Sequence, residues 1–331
     1  MYRQVVTTLC LVALVLCSTT SAFTFLAQEN GLTEMTIRKY SPSAVDSNPL
    51  PGKVVSRIKG ASTLNNEGFS WGVTCVAGST YFALLTNNIE YYMYGIDLTT
   101  NQLVINGYSP DSSEMYVQAL AYDSTIDALF GIAPNDIVPS WYDVVELDQS
   151  KGSIKKKIGS LKLGEYEYTG LYTYDQSTSS MFIVFKQFTN DSSTTQEGMM
   201  VINTQSGDVS DAIMFTGYHA SDTNLWNIAF DPESKALYGT TSKYIGTERA
   251  FVRIDPTSGE ITSINNSTEV CSGNGPVIQD GYFISPGHDS VSSSTIYYVN
   301  ITTGHIDKKY SNSDALSLIS FLSVYDDSSD Q

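Results

Sequence analysis

The sequence predicts an all-β protein folded as a six-bladed β-propeller. One hairpin turn, opened by Asp or Asn, recurs five times between Asp97 and Asn300, at intervals of 51, 55, 52 and 45 residues. The composition also favours strands, since 22 of the 331 residues are Tyr and no long segment has the apolar period of a helix. A four-stranded unit that repeats at such intervals is typical of propellers and solenoids.

The recurring turn contains the residues that a tight hairpin needs. In the copy at Asp255, Gly259 supplies the positive φ that closes the turn. The five copies open at Asp97, Asp148, Asn203, Asp255 and Asn300. Four copies close with Gly, and the first has Asn101 in its place.

A second repeated feature marks the first strand of each unit. It is an apolar run that ends in Asp, and it occurs at Asp123, Asp175, Asp231 and Asp326. Each Asp is interpreted as the first residue of a turn, as in Asp231-Pro232, where Pro fixes φ. A ring of metal-binding carboxylates is the alternative interpretation.

These two features divide the chain into blades. Full blades are expected at about 70–109, 116–159, 168–215, 225–266 and 269–311. A composite blade is expected to combine outer strands within 23–60 with an inner strand within 315–327, because closure of this kind leaves no open sheet edge. Seven blades is the competing prediction if 23–60 holds a whole unit.

The hairpins resemble the repeats of YVTN-type surface propellers and, more loosely, those of quinoprotein-like propellers. The resemblance covers roughly residues 70–311 and implies the fold. The sequence departs from the repeat pattern at Asn101, Asn203 and Asn300, and each of these residues still fits a turn.

Residues 1–22 are predicted to be a signal peptide. Arg3 provides the positive charge, the apolar run from Leu9 to Leu16 is too short to span a bilayer, and small residues precede the cleavage site after Ala22. The mature chain, 23–331, is expected to be a single propeller domain that is secreted and extracellular, with no membrane span. A membrane anchor at the N-terminus is the alternative.

The acidic charge restricts the classes of partner. The formal net charge is −17, and loss of Arg3 with the signal peptide would make it −18. Such a surface repels phosphate backbones and anionic lipids, so neither nucleic acid nor a membrane surface is an expected partner.

Export has consequences for cysteines and asparagines. Cys75 and Cys271 would remain after cleavage, either as a disulfide or as two buried thiols. Sequons predict a glycoprotein with candidate sites at Asn190, Asn265, Asn266 and Asn300.

The sequence offers little catalytic chemistry. The three histidines, His219, His288 and His305, do not predict a triad, because adjacent residues on a loop seldom face one another. Spacings for zinc or phosphate binding are missing as well. No cofactor is expected, and calcium stays open because oxygen ligands suffice for it.

Aromatic residues supply the candidate ligand-binding site. Trp71, Tyr116, Tyr168 and Trp226 lie at or just before the starts of inner strands, and Trp141 lies near the rim. Aromatic faces suit sugars or peptides, although they also fill gaps between blades.

The predicted function is therefore that of a monomeric, non-catalytic binding or matrix protein that recognises an extracellular protein or glycan. The alternative is a divalent-metal-dependent hydrolase or lactonase with its site at the channel mouth. The blade count resembles that of gluconolactonase-type propellers, which use a divalent ion in the channel.

Overall fold

The structure is a computed structural model, and it describes residues 24–30, 34–40, 53–59, 73–86, 91–108, 117–135, 137–138, 141–188, 195–218, 223–243, 249–266, 275–290, 293–312 and 318–325. Every regular element in these ranges is a β-strand, and the chain is a β-propeller. None of the described segments is a helix with the length and apolarity needed to cross a membrane.

The described strands, numbered along the chain, lie in six sheets. The first three strands are β1 (Thr24–Asn30), β2 (Glu34–Tyr40) and β3 (Lys53–Lys59). Sheet 1 contains β4 (Val73–Ala77), β5 (Thr80–Thr86), β6 (Tyr91–Asp97) and β7 (Gln102–Tyr108). Sheet 2 contains β8 (Ala119–Asp123), β9 (Ala128–Pro134), β10 (Trp141–Leu147) and β11 (Ile154–Lys162).

The remaining sheets follow in the same order. Sheet 3 contains β12 (Tyr166–Asp175), β13 (Ser180–Phe188), β14 (Thr195–Asn203) and β15 (Ile213–Met214). Sheet 4 contains β16 (Thr216–Gly217), β17 (Thr223–Asp231), β18 (Ala236–Lys243), β19 (Arg249–Ile254) and β20 (Glu260–Asn265). Sheet 5 contains β21 (Val277–Gln279), β22 (Tyr282–Ser290), β23 (Ser293–Asn300) and β24 (Ile306–Asn312). The last strand is β25 (Leu318–Tyr325).

The two ends of the chain share one sheet, which we call the composite sheet. Its order is β25-β1-β2-β3, and β1 pairs antiparallel with both β2 and β25. The sequence shows only two strand-like runs before residue 60, Thr33–Tyr40 and Lys53–Ile58, so β1 is an element that the pattern missed. In the register, Phe25 lies opposite Val324 on one side and opposite Tyr40 on the other.

The passage from sheet 3 to sheet 4 departs from a plain four-stranded repeat. The outermost strand of sheet 3, β15, has only two residues, and an isolated bridge between Ile202 and Val209 precedes it. The chain then adds β16 to the outer edge of sheet 4, parallel to β20. Sheet 3 therefore ends in a very short outer strand, whereas sheet 4 gains a fifth strand.

The apolar core is divided into six clusters, each lying between two adjacent sheets. Strand β9 shows why, because successive side chains point to opposite faces. Leu129 packs into the cluster shared with sheet 1, and Phe130 packs into the one shared with sheet 3. The clusters also include one between sheet 5 and the composite sheet, with Tyr40 and Ile284, and one between the composite sheet and sheet 1, with Leu26 and Tyr81.

One edge strand of each sheet contacts an edge strand of the next sheet, in a cyclic order. Around the molecule the contacts run β4, β8, β12, β17, β21, β25 and back to β4. Each sheet therefore meets its two neighbours through the same edge strand.

A buried carboxylate joins sheets 2 and 3. Asp123 is completely buried at the end of β8, where Oδ1 accepts bonds from the Thr125 backbone N (2.9 Å) and hydroxyl (2.5 Å). Its Oδ2 accepts bonds from Ser179 Oγ (2.6 Å) and Gln205 Nε2 (3.1 Å), both of sheet 3. Burial opposes ionisation of Asp123, but these hydrogen bonds outweigh it and hold the pKa well below its usual range.

Replacing this carboxylate should weaken the contact between the two sheets. Asp123→Asn keeps the shape but puts an NH₂ group where Ser179 and Gln205 need an acceptor, so we expect a loss of about 2–3 kcal/mol in the free energy of unfolding at neutral pH. Because the pKa is depressed in the folded state, the stabilisation is present above about pH 4 and is lost as the pH falls. Urea unfolding at pH 7 and pH 3 should therefore show a smaller penalty in acid.

Asp255→Asn is the matched control. Asp255 Oδ1 accepts bonds only from Thr257 N and Ser258 N of its own turn among the partners that the structure describes for that atom, and two other repeats have Asn at this position. Little change is expected, and an equal loss in both variants would contradict a role for Asp123 between the sheets.

Candidate functional site

Trp226 lies on a β-bulge in β17, the edge strand of sheet 4 that contacts sheets 3 and 5. The register of β17 and β18 shifts between Leu225 and Asn227, so Trp226 has no residue opposite it. Its side chain is 44% exposed, although Trp is usually well buried. The indole Nε1 donates a short hydrogen bond to the hydroxyl of Ser242, which is itself buried. The bulge thus turns a large aromatic ring outward and the hydrogen bond fixes its orientation.

Both residues that flank Trp226 are held by neighbouring sheets. On the sheet 3 side, the Leu225 backbone N donates to Glu197 Oε2 at 2.8 Å. On the sheet 5 side, Asn227 Nδ2 donates to Ser285 Oγ at 3.2 Å. Since Glu197, Asn227 and Ser285 are all buried, the backbone on either side of Trp226 is fixed to two other sheets.

Asn227 is also fixed within its own sheet. Its Oδ1 accepts bonds from the backbone N of Thr240 at 3.0 Å and from its hydroxyl at 2.7 Å. The amide of Asn227 therefore uses its donor for sheet 5 and its acceptor for sheet 4. Satisfied buried polar groups of this kind rigidify a single arrangement.

Glu197 is the titratable group of the site. Burial raises its pKa to about 7, and the opposing effects of the Leu225 N–H and of the Lys186 charge are smaller. Lys186 lies opposite Glu197 in the register of β13 and β14, and its Nζ also lies 3.6 Å from Glu167 Oε2. Near neutral pH, therefore, the Glu197 carboxyl group is present in both its protonated and its ionised form.

A second bulge lies at the same end of β12. Residues 169–171 are unpaired between Tyr168 and Tyr172, and the Thr169 hydroxyl donates to Val184 O at 2.9 Å. Tyr168 nevertheless points into the core, where it is 8% exposed, meets Tyr142 edge-on at 5.9 Å and donates to Gln118 O at 3.4 Å. The predicted role of Tyr168 as a ligand contact does not fit this burial.

The other predicted aromatic contacts are divided between described and undescribed parts of the chain. Trp141 begins β10 in sheet 2, is partly buried, and has the Lys162 ammonium 4.7 Å from its ring centre. It is not on the same strand or sheet as Trp226. Trp71 and Tyr116 lie outside the described residues. Among the predicted aromatic contacts that the structure describes, Trp226 is the one classed as exposed.

Two of the predicted glycosylation sites overlap, and the structure distinguishes them. Asn265 is partly buried and its Nδ2 donates to Gly304 O at 2.9 Å, so this amide is already used between sheets 4 and 5. Asn266 is exposed, and its Oδ1 accepts bonds from Tyr218 and Ser263. An attached glycan is thus easier to accommodate at Asn266.

The remaining sequons give less detail. Asn300 opens its turn, where Oδ1 accepts bonds from the backbone N of Thr302 and Thr303. Asn190 lies outside the described residues. Glycosylation at all four asparagines stays a prediction.

Of the two cysteines expected in the mature chain, Cys75 lies within the described residues. Cys75 on β4 is a free, partly buried thiol whose Sγ lies 3.6 Å from Val76 O, and burial raises its pKa to about 12. Cys271 lies outside the described residues, so the predicted pairing stays a prediction.

The described residues contain no cluster of side chains that would hold a metal ion. Within the described ranges, no three His, Cys, Asp or Glu side chains lie together as a metal site would require. His305 is exposed in its hairpin, whereas His219 and the side chain of His288 are not described. The carboxylates Asp175 and Asp231, which a metal ring would use, accept hydrogen bonds from Ser177 and Ser234 of their own turns.

Comparisons with known proteins show the fold and no more. TolB from Acinetobacter baumannii aligns with a TM-score of 0.59 at 8% identity, over 91% of this chain and 66% of TolB. A chain of a nidogen/laminin complex aligns with a TM-score of 0.57 at 8% identity, over 91% of this chain and 98% of the other. The sequence matches no protein-family model and no curated protein. At this identity the likeness establishes a β-propeller alone.

The buried carboxyl group predicts an unusual pH dependence. The pKa of Glu197 is higher in the folded chain than its ordinary value of 4.5, so its stabilisation is fully present below about pH 4.5 and is lost as the pH rises through 7. Glu197→Gln keeps an acceptor for Leu225 N and cannot ionise. Relative to this variant, the native chain should lose on the order of 3 kcal/mol of unfolding free energy between pH 4.5 and pH 8.

Urea unfolding of both proteins across this range measures the difference. Glu165→Gln is the control, because Glu165 is exposed and accepts a bond from Gln187 at the surface. Parallel pH profiles for the native chain and Glu197→Gln would contradict a buried, proton-exchanging Glu197.

Proposed function

We propose that the protein is a secreted, non-catalytic binding protein that recognises an extracellular protein or glycan through a surface centred on Trp226. The observation that carries this proposal is the exposed indole of Trp226, held by Ser242 on a bulge whose flanking residues are fixed to sheets 3 and 5. Trp is among the residue types most enriched at binding hot spots, so an exposed indole that is already held in place is a candidate contact for a partner.

The rigidity of this presentation supports binding. A side chain that is already ordered loses little conformational entropy when a partner covers it, which improves affinity without a new contact. The planar face of an indole packs against the C–H face of a sugar or against an apolar peptide side chain, and its edge donates a hydrogen bond. Here that donor is already used by Ser242, so recognition would rely on the ring face.

We further infer that the six sheets are the blades of one closed ring. The cyclic contacts of these edge strands, the six inter-sheet clusters and the pairing of β1 with β25 support this arrangement. Closure of both chain ends within one sheet keeps neighbouring sheets at fixed positions. The surface around Trp226 needs such a frame, because its supports come from three sheets.

Truncation of the indole should weaken ligand binding strongly without unfolding the protein. Ligands are first selected on the secreted native protein with a glycan microarray and with phage-displayed random peptides. We expect Trp226→Ala to weaken the selected ligands by about thirtyfold or more, corresponding to about 2 kcal/mol for a hot-spot residue. Calorimetric titration and a thermal unfolding curve, measured on the same variant, separate lost contact from lost folding.

Trp141→Ala is the matched control, since it removes an indole of the same size from sheet 2. Its ring faces Lys162 and it should keep native affinity. Equal affinity of the native protein and Trp226→Ala, or the failure of both libraries to give a ligand, would contradict the proposed surface.

Calcium should leave the stability of the secreted protein unchanged if the protein is a binding module without a metal. A cation at 100 times its dissociation constant would add roughly 2.7 kcal/mol, which raises the melting midpoint by a few degrees. We expect no shift between excess chelator and excess calcium in a thermal unfolding experiment. A clear rise would favour the metal-dependent hydrolase instead.

A further inference from the structure

Glu197 supports the Trp226 bulge from the sheet 3 side. Its carboxylate accepts the Leu225 backbone N–H at 2.8 Å, one residue before the exposed indole. Since β17 is the edge strand of sheet 4, this N–H is directed to sheet 3 rather than to a strand of its own sheet. A buried N–H without an acceptor is costly, so the order of the bulge depends on the acceptor that Glu197 provides.

The surroundings of Glu197 favour its neutral form. Glu197 is only 6% exposed, and among the described residues the Leu225 N–H is the hydrogen-bond donor to its carboxylate. Asp123 and Asp175 are buried as well, but each accepts three or more hydrogen bonds, which stabilise the ionised form. One donor does not offset the burial of a charge, and the pKa of Glu197 is accordingly raised to about 7.

Lys186 is the positive charge that faces Glu197. The two residues lie opposite each other in the register of β13 and β14, and the charge of Lys186 only partly offsets the effect of burial. Lys186 Nζ also lies 3.6 Å from Glu167 Oε2 on β12, so its charge is shared with an exposed carboxylate. Ionised Glu197 is therefore incompletely compensated from the sheet 3 side.

The other segments next to Glu197 and Leu225 add one titratable group. This group is Tyr238, whose ring stacks on Phe251 in the cluster shared with sheet 5. Lys243 comes at the end of β18, and its side chain lies outside the described residues. The segments are residues 213–217, 224–230 and 236–242.

We propose that Glu197 makes binding at the Trp226 surface dependent on pH, with tighter binding in mildly acidic solution than above neutral pH. This inference rests on the function proposed above. The neutral carboxyl group accepts the Leu225 N–H without placing a charge in the interior. The ionised group is hydrated only if it turns away from Leu225, whose N–H then loses its acceptor. The bulge that holds Trp226 becomes less ordered, and a partner must order it again, which lowers affinity.

The direction of the pH effect depends on which form of the bulge has the raised pKa. In the ordered bulge, burial raises the pKa of Glu197 from 4.5 to about 7, whereas a hydrated Glu197 has its ordinary pKa. The stabilisation of the ordered bulge is therefore fully present below about pH 4.5 and is lost as the pH rises through 7. Affinity should accordingly fall between about pH 5.5 and pH 8.

The fluorescence of Trp226 tests the coupling without a ligand. The chain has three Trp residues, so Trp71→Phe combined with Trp141→Phe leaves Trp226 as the one indole. As the pH rises, its emission should move to longer wavelength and its quenching by acrylamide should increase, with a midpoint near pH 7. Glu197→Gln should abolish this transition, because the amide keeps an acceptor for Leu225 and cannot ionise. A flat profile, or a transition that persists in Glu197→Gln, would overturn the inference.

Two further variants in the same single-Trp background assign the transition. Lys186→Gln removes the facing positive charge, so the midpoint should move to higher pH. Glu165→Gln is the matched control, because it removes an exposed carboxylate next to β12 and should leave the midpoint unchanged. Equal shifts in the two variants would contradict the assignment to Glu197. A thermal unfolding curve at each pH shows that every variant is folded.

Ligand affinity tests the consequence for binding. The probe is the tightest phage-selected peptide that contains no histidine, so that the peptide itself does not titrate in this range. Calorimetric titration of the native chain should give a dissociation constant about threefold or more higher at pH 8 than at pH 5.5, and Glu197→Gln should bind equally at both. Equal pH dependence in the two proteins would overturn the inference. Failure of the proposed function is a different result, since it appears as selections that give no ligand.

Discussion

The close contact of a hairpin turn with the backbone of the preceding sheet is the constraint on which this structure depends. At Gly207 a Cβ atom would lie 2.1 Å from the Ile158 carbonyl oxygen, so the distance between sheets 2 and 3 is set by the missing side chain. The apolar clusters can then be thin, since each only fills the space between two sheets. The same contact, repeated around the molecule, explains why one turn sequence recurs through the chain.

Polar side chains add bonds between sheets to this apolar packing. Asp123 of sheet 2 bonds to Ser179 and Gln205 of sheet 3, whereas Asp175 at the equivalent position accepts bonds from Ser177 and Thr178 of its own turn. The repeated Asp therefore accepts hydrogen bonds within its own turn. In one described copy, Asp123, it also bonds to the next sheet. Which copy gains the second function depends on the Ser and Gln residues that the next sheet brings near it.

The turns, their spacing and the all-β fold could be predicted from the sequence, because a turn depends on a few adjacent residues. Strand β1 was missed because its pairing with β25 depends on residues almost 300 positions away.

The candidate site was less predictable from the sequence than the fold. Tyr168 and Trp226 occupy similar places in the pattern, yet one is 8% and the other 44% exposed, since the bulge at Trp226 turns that side chain outward. Nothing local marks Glu197, because its raised pKa comes from burial between sheets 3 and 4.

The proposed binding position, Trp226, lies where the repeat is interrupted. A regular sheet buries its aromatic residues and closes its turns with glycine. These positions contribute to packing and not to binding. Trp226 departs from this regularity through an inserted residue, and Asn101 replaces the glycine of the other turns at a positive φ. The inserted residue at Trp226 occurs where two neighbouring sheets hold the backbone, so its cost to folding is local. In a repeat fold, therefore, an exception to the pattern is a better indication of a site than the pattern itself, because repetition already explains the rest.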